Sequence, residues 1–517
     1  MSLSLRILEV LAIDPSGQAV EFEGRWHSWG ELAAWVEAVD RAIVAAGIGP
    51  DQAVGILLRN RPSIVGALLA VLTTRRCVVS VNPMQGPERL AEELRELRLP
   101  ALVAHRDDWT DAALREAATE IGSVAVEVAE DVAVPCRALP KLDALRGGPH
   151  HDPCPGVAVE MLTSGTTGTP KRVELRYQSL EQSILGAAHY ESSGGEAGKP
   201  ELKSGVAIVA APLVHVSGIW RTVQALADGR RISLLERFTV EGWRDVVRRH
   251  RPKVSSLVPT ALRMVLDADL PREDLASLRA VTSGTAPLPP ETAIAFEEKY
   301  GIPVLTLYGA TEFAGGVAGW TLEDHRNWSR EKRGSVGRAH PGCELRVVDA
   351  EDGRALPTGA TGLLEVRSAQ LGPDAGWVRT TDLAELDADG FLWIRGRADN
   401  TIIRGGFKIA PSEVAEVLER HPAVHEASVV GIADERLGSV PVAAVELETG
   451  VSLVDGEALR SFARQHLTSY QVPARILIVD ALPRTPSLKV SQPEVRALFE
   501  SSDPGEARST QGEDRNG

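Results

Sequence analysis

The 517-residue sequence lacks several features that would place it in a specialised class. Its four cysteines (Cys77, Cys136, Cys154 and Cys343) form no CxxC pair, which favours reduced thiols over a disulfide framework or a zinc site. No apolar run reaches the ~18 residues that a transmembrane helix needs. The amino-terminal residues also lack the basic, apolar and small-residue order of a secretion signal. We therefore expect a cytoplasmic protein without a transmembrane segment.

Basic residues are scarce as well. The chain has 56 Lys+Arg against 71 Asp+Glu, a net charge of −15, and no dense basic run, which argues against a nucleic-acid-binding surface. Lysine occurs at only nine positions, so arginine carries most of the positive charge. A lysine inside a motif is for that reason less easily ascribed to chance.

The length and the hydrophobic pattern predict a multidomain α/β fold. A chain of this size is too long for one hydrophobic core. Short β-branched runs alternate with amphipathic stretches, which is typical of largely parallel sheets covered by helices. Strands are predicted first at 54–58, 78–81, 101–104 and 124–128, with helices at 31–46, 61–72 and 88–97. Strands at 157–162, 206–210, 254–258, 278–282 and 304–307 are predicted to form a second sheet.

The last third of the sequence has a different pattern of predicted strands and helices. A β-rich segment with turn signals covers 334–394, and a smaller α/β unit begins near residue 401. That unit has predicted helices at 411–420 and 456–467 and strands at 427–430, 440–447 and 475–479. Residues 194–205 are predicted to form a mobile surface loop, and the polar tail 501–517 is predicted to be disordered.

One segment, Thr163-Ser-Gly-Thr-Thr-Gly-Thr-Pro-Lys171, combines glycines, hydroxyls and a lysine after an apolar run. Crowded backbone N–H groups and hydroxyls make an anion site, and the lysine adds a charge for a phosphate. Its glycines are too close together for a Walker motif, and Pro170 stands where that motif would enter a helix. Taken alone, the segment also fits a flexible surface loop.

Polar or glycine-rich turns follow all five of the later strands, at 163–171, 212–218, 259–260, 283–287 and 308–312. Ligands of open α/β sheets bind at the carboxyl ends of the strands. The five turns are therefore predicted to converge on one site.

Together these segments resemble the acyl-adenylate-forming superfamily of acyl- and aryl-CoA ligases, carrier-protein adenylation domains and luciferase-type enzymes. The resemblance covers nearly the whole chain. It rests on an ordered series of motifs: TSGTTGTPK (163–171), PLVHVSG (212–218), SGTAPL (283–288), YGATE (308–312), GSVGR (334–338), RTTD (379–382), DGFLWIRGRAD (389–399), IIRGGFKIAPSEVAEVL (402–418) and PRTPSLK (483–489).

The resemblance implies an acid:CoA ligase that uses ATP and Mg²⁺, forms an acyl-AMP with release of pyrophosphate, and then transfers the acyl group to CoA. It implies an N-terminal domain (1–397) of two parallel-rich sheets with helices plus a β-rich subdomain. A hinge at 398–400 would connect it to a small, mobile α+β domain (401–500).

The resemblance also assigns a nucleotide site. Thr311 would touch the α-phosphate, and Glu312 and Thr163 would hold Mg²⁺, because a hard cation prefers oxygen ligands. Asp382 would accept both ribose hydroxyls, and Arg397 would donate to ribose or phosphate. The β- and γ-phosphates would be held by Thr163, Ser164, Gly165, Thr166, Thr167, Gly168 and Lys171. The adenine would lie between Tyr308 and the turn Gly284, Thr285 and Ala286, with Gly309 beside them. Without this context, Tyr308 fits a core aromatic and Asp382–Arg397 a surface ion pair.

The remaining assignments concern catalysis. Lys489 would bridge the substrate carboxylate and the α-phosphate, where negative charge builds up. His215 would line the acyl pocket, although a satisfied core histidine fits it as well. Asp399 occupies the hinge position. Rotation there would replace Lys489 by a CoA-binding face with Gly405, Gly406 and Lys408.

Two departures from the superfamily pattern leave the acceptor open. Thr381 and Leu488 stand where glycine is usual, and at Thr381 a β-branched side chain resists positive φ. The resemblance implies CoA as the acceptor, with a carrier-protein thiol or another nucleophile as the alternative. A non-catalytic acyl- or nucleotide-binding homologue is a third interpretation. Small residues at 309–310 and 314–317 suggest an open apolar slot for a fatty, aryl or alicyclic acid. Amino-acid-activating members of the superfamily carry an acidic residue that holds the substrate ammonium. PLVHVSG (212–218) has no acidic residue, so the resemblance disfavours an amino-acid substrate. A homodimer is compatible with the resemblance.

Overall fold

Residues 2–131, 134–163, 171–191, 199–372, 375–404, 407–434, 436–451, 454–485 and 488–500 are described by the computed structural model. The tail 501–517 and residues 194–198 of the predicted loop 194–205 lie outside these ranges. Where that loop is described, Lys203–Gly205 already belongs to a strand, so the loop prediction is wrong at these three residues.

The strands are β1 (Gln18–Phe22), β2 (Arg25–Ser28), β3 (Ala53–Leu57), β4 (Cys77–Val81), β5 (Ala101–His105), β6 (Val124–Val128), β7 (Cys136–Ala138), β8 (Val157–Thr163), β9 (Lys171–Arg176), β10 (Lys203–Val209), β11 (Arg230–Leu234), β12 (Val254–Ser256), β13 (Ala280–Ser283), β14 (Val304–Ala310), β15 (Gly315–Gly319), β16 (Arg338–Ala339), β17 (Cys343–Val348), β18 (Gly362–Ser368), β19 (Val378–Leu386), β20 (Leu392–Arg397), β21 (Ile402–Arg404), β22 (Phe407–Ile409), β23 (Val424–Asp434), β24 (Gly438–Leu447) and β25 (Arg475–Val479).

The α-helices are α1 (Leu3–Ile13), α2 (Trp29–Ala45), α3 (Pro62–Thr73), α4 (Pro87–Leu97), α5 (Ala112–Ile121), α6 (Tyr177–Glu191), α7 (Val216–Ala227), α8 (Val240–His250), α9 (Pro259–Asp267), α10 (Arg272–Leu275), α11 (Pro290–Tyr300), α12 (Leu322–Trp328), α13 (Pro411–Glu419), α14 (Gly456–His466) and α15 (Gln492–Glu500). Short 3-10 turns lie at Asp108–Thr110, Thr311–Phe313, Ala369–Leu371 and Ala398–Asn400. In the described part of the chain, every helix is too short or too polar to cross a lipid bilayer.

The predicted α/β class and the order of strands and helices are confirmed. The largest sheet has seven strands in the order β7-β6-β5-β3-β4-β8-β9, with parallel pairing from β6 through β8. Its central strands β3, β4 and β5 are buried along their whole length, as expected for a parallel sheet covered on both faces. Helix α3 is buried on all sides, and its Gly66 lets Trp35 of α2 approach closely.

The predicted second sheet is wrong in its membership. β8 joins the first sheet through the parallel pair Val78–Val159. β10 and β11 instead form a four-stranded sheet with β1 and β2, in the order β10-β11-β1-β2. The amino-terminal hairpin β1–β2 gave no strand signal in the sequence analysis, and it pairs with β11 across more than 200 residues of chain. Register with such a distant partner is not encoded by local periodicity.

A third sheet and a β-rich unit carry the rest of the large domain. The third sheet has the order β12-β13-β14-β15-β16, and its first three strands are parallel. Strands β17 to β20 form an antiparallel meander, which corresponds to the predicted β-rich segment. The carboxyl-terminal unit is built on the sheet β22-β21-β24-β23, with β25 also paired to β24.

Candidate functional site

The predicted phosphate-binding segment connects two strands of the seven-stranded sheet. β8 ends at Thr163, β9 begins at Lys171, and these two residues are partners in the antiparallel ladder. The two ends of the segment are therefore fixed side by side. The predicted site residues Ser164, Gly165, Thr166, Thr167 and Gly168 lie outside the described residues, as do the side chains of Thr163 and Lys171.

The 3-10 turn Thr311–Phe313 packs against β9, which brings the predicted phosphate and metal residues into one region. Phe313 anchors the turn because its side chain is fully buried, whereas Glu312 is exposed. Among the described residues, no cation pairs with Glu312. A free carboxylate next to the start of β9 is a suitable ligand for Mg²⁺, which favours oxygen donors.

Tyr308, Asp382 and Arg397 meet, as the sequence analysis predicted for the nucleoside site. The Tyr308 hydroxyl donates a hydrogen bond to the Asp382 carboxylate. Burial, assisted by the Asp382 charge, raises the pKa of Tyr308 well above its usual value, so the phenol keeps its proton. Arg397 is the ladder partner of Asp382, and its Nε lies 4.0 Å from the Asp382 carboxylate.

The turn 284–286, which is predicted to bind adenine, packs against β14, the strand that carries Tyr308. A Cβ on Gly284 would lie 2.7 Å from Leu307 Cδ1 and 2.9 Å from the Leu307 carbonyl oxygen. Only glycine allows this approach. Thr285 follows with a φ of 72°, a left-handed conformation, and Ala286 completes the turn. On the same strand as Tyr308, a Cβ on Gly309 would lie 2.4 Å from the carbonyl oxygen of Gly315 on β15.

His215 and Lys489 are brought together although 274 positions separate them in the sequence. His215 stands at the N-cap of α7, and its buried Nε2 has no hydrogen-bond partner among the described residues. Burial, together with the positive charge of Lys489, lowers the pKa of His215 to about 4. Burial also lowers the pKa of Lys489. At neutral pH the imidazole is therefore neutral.

The predicted hinge and CoA-binding residues are described by backbone position only. Asp399 lies in the 3-10 turn Ala398–Asn400, immediately after β20 and before β21. Lys408 lies in β22, and its ladder partner is Ile403 of β21. The side chains of Asp399 and Lys408 and the residues Gly405 and Gly406 lie outside the described part. Their assigned roles stay predictions.

The two departures from the superfamily pattern have different consequences. Thr381 lies in the extended strand β19, so no left-handed conformation is required of it, and its hydroxyl accepts a hydrogen bond of 2.6 Å from Arg397. Leu488 does adopt a left-handed conformation, with a φ of 63°. The strain expected at Thr381 is therefore absent, and it is Leu488 that adopts an unfavourable backbone conformation.

The expected apolar slot is only partly correct. Ala314 and Val317 are fully buried in core clusters and cannot line an open slot. Gly315 and Gly316 are partly exposed, but the position of a Gly315 side chain is surrounded by polar atoms of Ser183, Trp220 and Gln370.

Sequence reasoning missed the residues that hold the chain next to Lys489. Thr260, in the first turn of α9, donates a hydrogen bond of 2.9 Å to the Leu488 carbonyl oxygen. Arg484 Nη1 lies 3.2 Å from Thr260 Oγ1. Thr260 was recognised as part of a polar turn after β12, but no local pattern indicates a partner 228 residues away.

Comparison with known proteins places this geometry in a family. The AMP-binding enzyme family matches residues 10–373, and the AMP-binding enzyme C-terminal domain matches residues 413–489. Indoleacetate–CoA ligase of Aromatoleum aromaticum is 31% identical over 96% of this chain and 98% of its own length. Sulfoacetate–CoA ligase of Cupriavidus necator is 34% identical over 91% of this chain and 92% of its own.

A solved structure has the same architecture. The amide bond synthetase McbA from Marinactinospora thermotolerans aligns with a TM-score of 0.76 and 28% identity, covering 96% of this chain and 100% of that one. The predicted membership in the acyl-adenylate-forming superfamily is confirmed by these matches, since they extend over both the large domain and the carboxyl-terminal unit. The chain belongs to the AMP-binding enzyme family.

Proposed function

We propose that this protein is an ATP-dependent acid:CoA ligase. It converts a carboxylic acid into an acyl-AMP with release of pyrophosphate and then transfers the acyl group to the thiol of CoA. The observation that carries the proposal is the docking of the carboxyl-terminal unit, which places Lys489 beside His215 of the large domain while the neighbouring Leu488 accepts a hydrogen bond from Thr260. Its CoA-ligase relatives support the acceptor.

The first half-reaction joins two anions, and Lys489 would offset their repulsion. A buried ammonium is stabilised when a carboxylate and a phosphate enter beside it, because burial otherwise disfavours its charge. Negative charge increases at the reacting oxygens in the transition state, so a fixed cation there stabilises the transition state more than the ground state. His215 is neutral at pH 7, so it would contribute a hydrogen bond or a wall of the acyl pocket rather than charge.

The large domain would orient the nucleotide. Asp382 would bind the ribose hydroxyls with its carboxylate oxygens, and the hydrogen bond from Tyr308 fixes the orientation of that carboxylate. Arg397 would donate to the ribose or a phosphate. Thr311 would contact the α-phosphate from its turn beside β9. Glu312 and Thr163 would hold Mg²⁺, which when bound neutralises phosphate charge.

Transfer to CoA requires Lys489 to leave the site. We propose rotation at Asp399, with the domain boundary at residues 398–400, which would present Gly405, Gly406 and Lys408 to the acyl-AMP. The protein would act in the cytoplasm, and the substrate would be a fatty, aryl or alicyclic acid. A homodimer is also proposed.

A second acceptor class has one specific observation in its favour. A structural relative is described as an amide bond synthetase, so the same architecture serves an amine acceptor in that protein. In this chain an amine or a carrier-protein thiol would replace CoA in the second step only.

Substrate and acceptor are tested together by incubating the protein with ATP, Mg²⁺ and a panel of fatty, aryl and alicyclic acids. Pyrophosphate release is followed with and without CoA, and the masses of the products are measured by mass spectrometry. The proposal predicts acid-dependent pyrophosphate release and a CoA thioester. Pyrophosphate release without a thioester, but with an adduct of a supplied amine or carrier protein, would favour the second acceptor class. If no acid in the panel gives pyrophosphate release, the result would contradict ligase activity.

A further inference from the structure

The residue before Lys489 is held in an unfavourable backbone conformation. Leu488 has a φ of 63°, which its branched side chain disfavours. Such a conformation persists only where surrounding contacts enforce it. The contacts that enforce it come from the large domain as well as from the carboxyl-terminal unit.

The first contact is apolar. The Leu488 side chain packs against the core cluster under β12 and β13, which includes Leu257, Leu262 and Val281. This cluster belongs to the large domain. Leu488 therefore buries apolar surface only while the carboxyl-terminal unit is docked as observed.

The second contact is polar and reaches across the same interface. The Thr260 hydroxyl donates to the Leu488 carbonyl oxygen at 2.9 Å. Arg484 Nη1 donates to Thr260 Oγ1 at 3.2 Å and lies 3.3 Å from the Leu488 carbonyl oxygen. Arg484 also pairs with Glu426 of β23, which anchors it in the carboxyl-terminal unit.

These contacts fix the backbone of Lys489. The Thr485 N–H donates to the Lys489 carbonyl oxygen at 2.7 Å, and Arg484 and Val490 form a bridge that closes the turn. With its backbone held from both sides, Lys489 keeps only side-chain freedom, and its positive charge lies close enough to His215 to lower the pKa of that imidazole. A reacting group held in this way needs less ordering in the transition state.

We propose that Thr260, Arg484 and Leu488 form a latch that positions Lys489 for adenylation and that opposes its withdrawal for acyl transfer. The inference rests on the proposed two-step function. The polar half of the latch positions the ammonium. The apolar half stabilises the docked state, so Leu488 slows the second step.

The two half-reactions test the latch separately. The first is acid-dependent exchange of pyrophosphate into ATP, measured with the acid that gives the fastest pyrophosphate release. The second is transfer of that acid's chemically prepared adenylate to CoA. Thr260→Val should lower kcat for exchange at least tenfold with KM for ATP within about twofold, since loss of one positioning contact changes geometry rather than ATP binding. Transfer should stay unchanged or rise, and Thr260→Ser should restore exchange.

Leu488→Ala, which loses the apolar contact but still disfavours a positive φ, should accelerate transfer at least threefold while exchange falls. Thermal unfolding of each variant verifies that it is folded. Equal loss in both half-reactions, or full exchange in Thr260→Val and Leu488→Ala, would overturn the latch while leaving the ligase function intact. Absence of exchange in the unchanged enzyme with every acid would overturn both.

A separate observation concerns the acid. At Gly315, Ser183 Oγ lies 2.5 Å and Gln370 Oε1 3.6 Å from the position that a Cβ would take. Trp220 Nε1 donates to Ser183 Oγ at 2.7 Å, so the Ser183 hydroxyl hydrogen is free to donate. Gln370 Nε2 donates to the Gly316 carbonyl oxygen, while Gln370 Oε1 is buried without a partner among the described residues.

These polar atoms surround Gly315 of β15, which belongs to the stretch predicted to form the acyl slot. Trp220 follows His215 by five residues, which is roughly 7 Å along a helix. We infer that the acid carries, roughly 7 Å from its carboxylate, an uncharged group that both accepts and donates a hydrogen bond, such as a hydroxyl or a primary amide. This also rests on the proposed function.

Matched acids test this inference: 4-hydroxyphenylacetate against phenylacetate, and 6-hydroxyhexanoate against hexanoate. In at least one pair the hydroxylated acid should have at least tenfold higher kcat/KM in pyrophosphate release. Gln370→Leu should remove that preference, so that the hydroxylated and plain acids of the pair have kcat/KM values within threefold of each other. Equal or lower kcat/KM for the hydroxylated acids, with the enzyme active, would overturn the inference but not the ligase function. Inactivity with all acids would overturn both.

Discussion

At the residue scale, His215 shows how burial changes the chemistry of a side chain. The pKa of His215 is lowered to about 4, against about 6.5 in the unfolded chain. Between these two values the unfolded chain takes up a proton that the folded protein excludes. His215 therefore lowers stability as pH falls from about 6.5 to 4, and it has no such effect above that window.

This gives a prediction for stability against pH. His215→Gln cannot titrate, so between pH 7.5 and 4 the unchanged protein should lose up to about 3 kcal/mol more of its free energy of unfolding than the variant. Urea unfolding at the two pH values measures the difference. Parallel losses in the two proteins would mean that His215 is accessible to protons in the folded state.

Asp382 gives a second prediction at this scale. If its carboxylate binds ribose hydroxyls, Asp382→Asn removes charge-assisted hydrogen bonds and should raise KM for ATP roughly 10- to 100-fold. Glu385→Gln is the matched control, because Glu385 lies on the same strand and pairs with Arg395 at the surface. Equal KM values for the two variants would remove Asp382 from the nucleotide site.

Residues whose functional groups lie in recognisable motifs were predictable from the sequence. Residues whose role depends on contact with a distant segment were not. Tyr308, Asp382 and Arg397 carry functional groups in recognisable motifs, and the structure brings them together. The contribution of Thr260 depends on docking of a segment 228 residues away, and no local pattern contains that information. The same holds for Gln370, whose buried oxygen becomes evident only through its surroundings.

At the scale of elements, the junction between α7 and the preceding loop determines where His215 stands. The Pro212 carbonyl oxygen accepts from the His215 N–H, and the loop then passes directly under Gly218. A Cβ on Gly218 would lie 2.1 Å from the Pro212 carbonyl oxygen. The first turn of α7 and the loop can approach this closely only because position 218 has no side chain.

Gly218→Ala should therefore displace the first turn of α7 together with His215. We expect a loss of about 1–3 kcal/mol in stability from overpacking, and at least a tenfold lower kcat for acid-dependent pyrophosphate release. Gly86→Ala is the control, since its Cβ would meet open space. Unchanged kcat in Gly218→Ala would show that the loop adjusts without moving His215.

Local periodicity predicted most of these elements but not their assembly into sheets. β3 to β6 have buried β-branched runs bounded by turns, and they occur where predicted. β8 carries the same signal, yet it pairs with β4 of the first sheet rather than with later strands. Strand partners are selected by packing over long sequence distances, so a period-2 pattern predicts a strand without predicting its neighbour.

At the scale of the whole molecule, the proposed site draws on two lobes. The large domain would supply Tyr308, Asp382 and the turn of Glu312, and the carboxyl-terminal unit would supply Lys489. Arg263 of α9 contributes to the contact between the two lobes. It donates to the carbonyl oxygen of His425 in the carboxyl-terminal unit and to Thr292 Oγ1 in the large domain. The proposed two-step reaction requires this interface to be released between the half-reactions.

The central claim is that Lys489 activates the carboxylate and then leaves, and separated half-reactions of Lys489→Ala test it most directly. Acid-dependent pyrophosphate exchange should fall at least ~100-fold, as on removal of a preorganised transition-state contact. Transfer of a supplied acyl adenylate to CoA should stay within about threefold, since Lys489 has no part in that step. Lys253→Ala, an exposed lysine near β12, should retain both. Undiminished exchange in Lys489→Ala, or an equal loss of both half-reactions, would contradict the account.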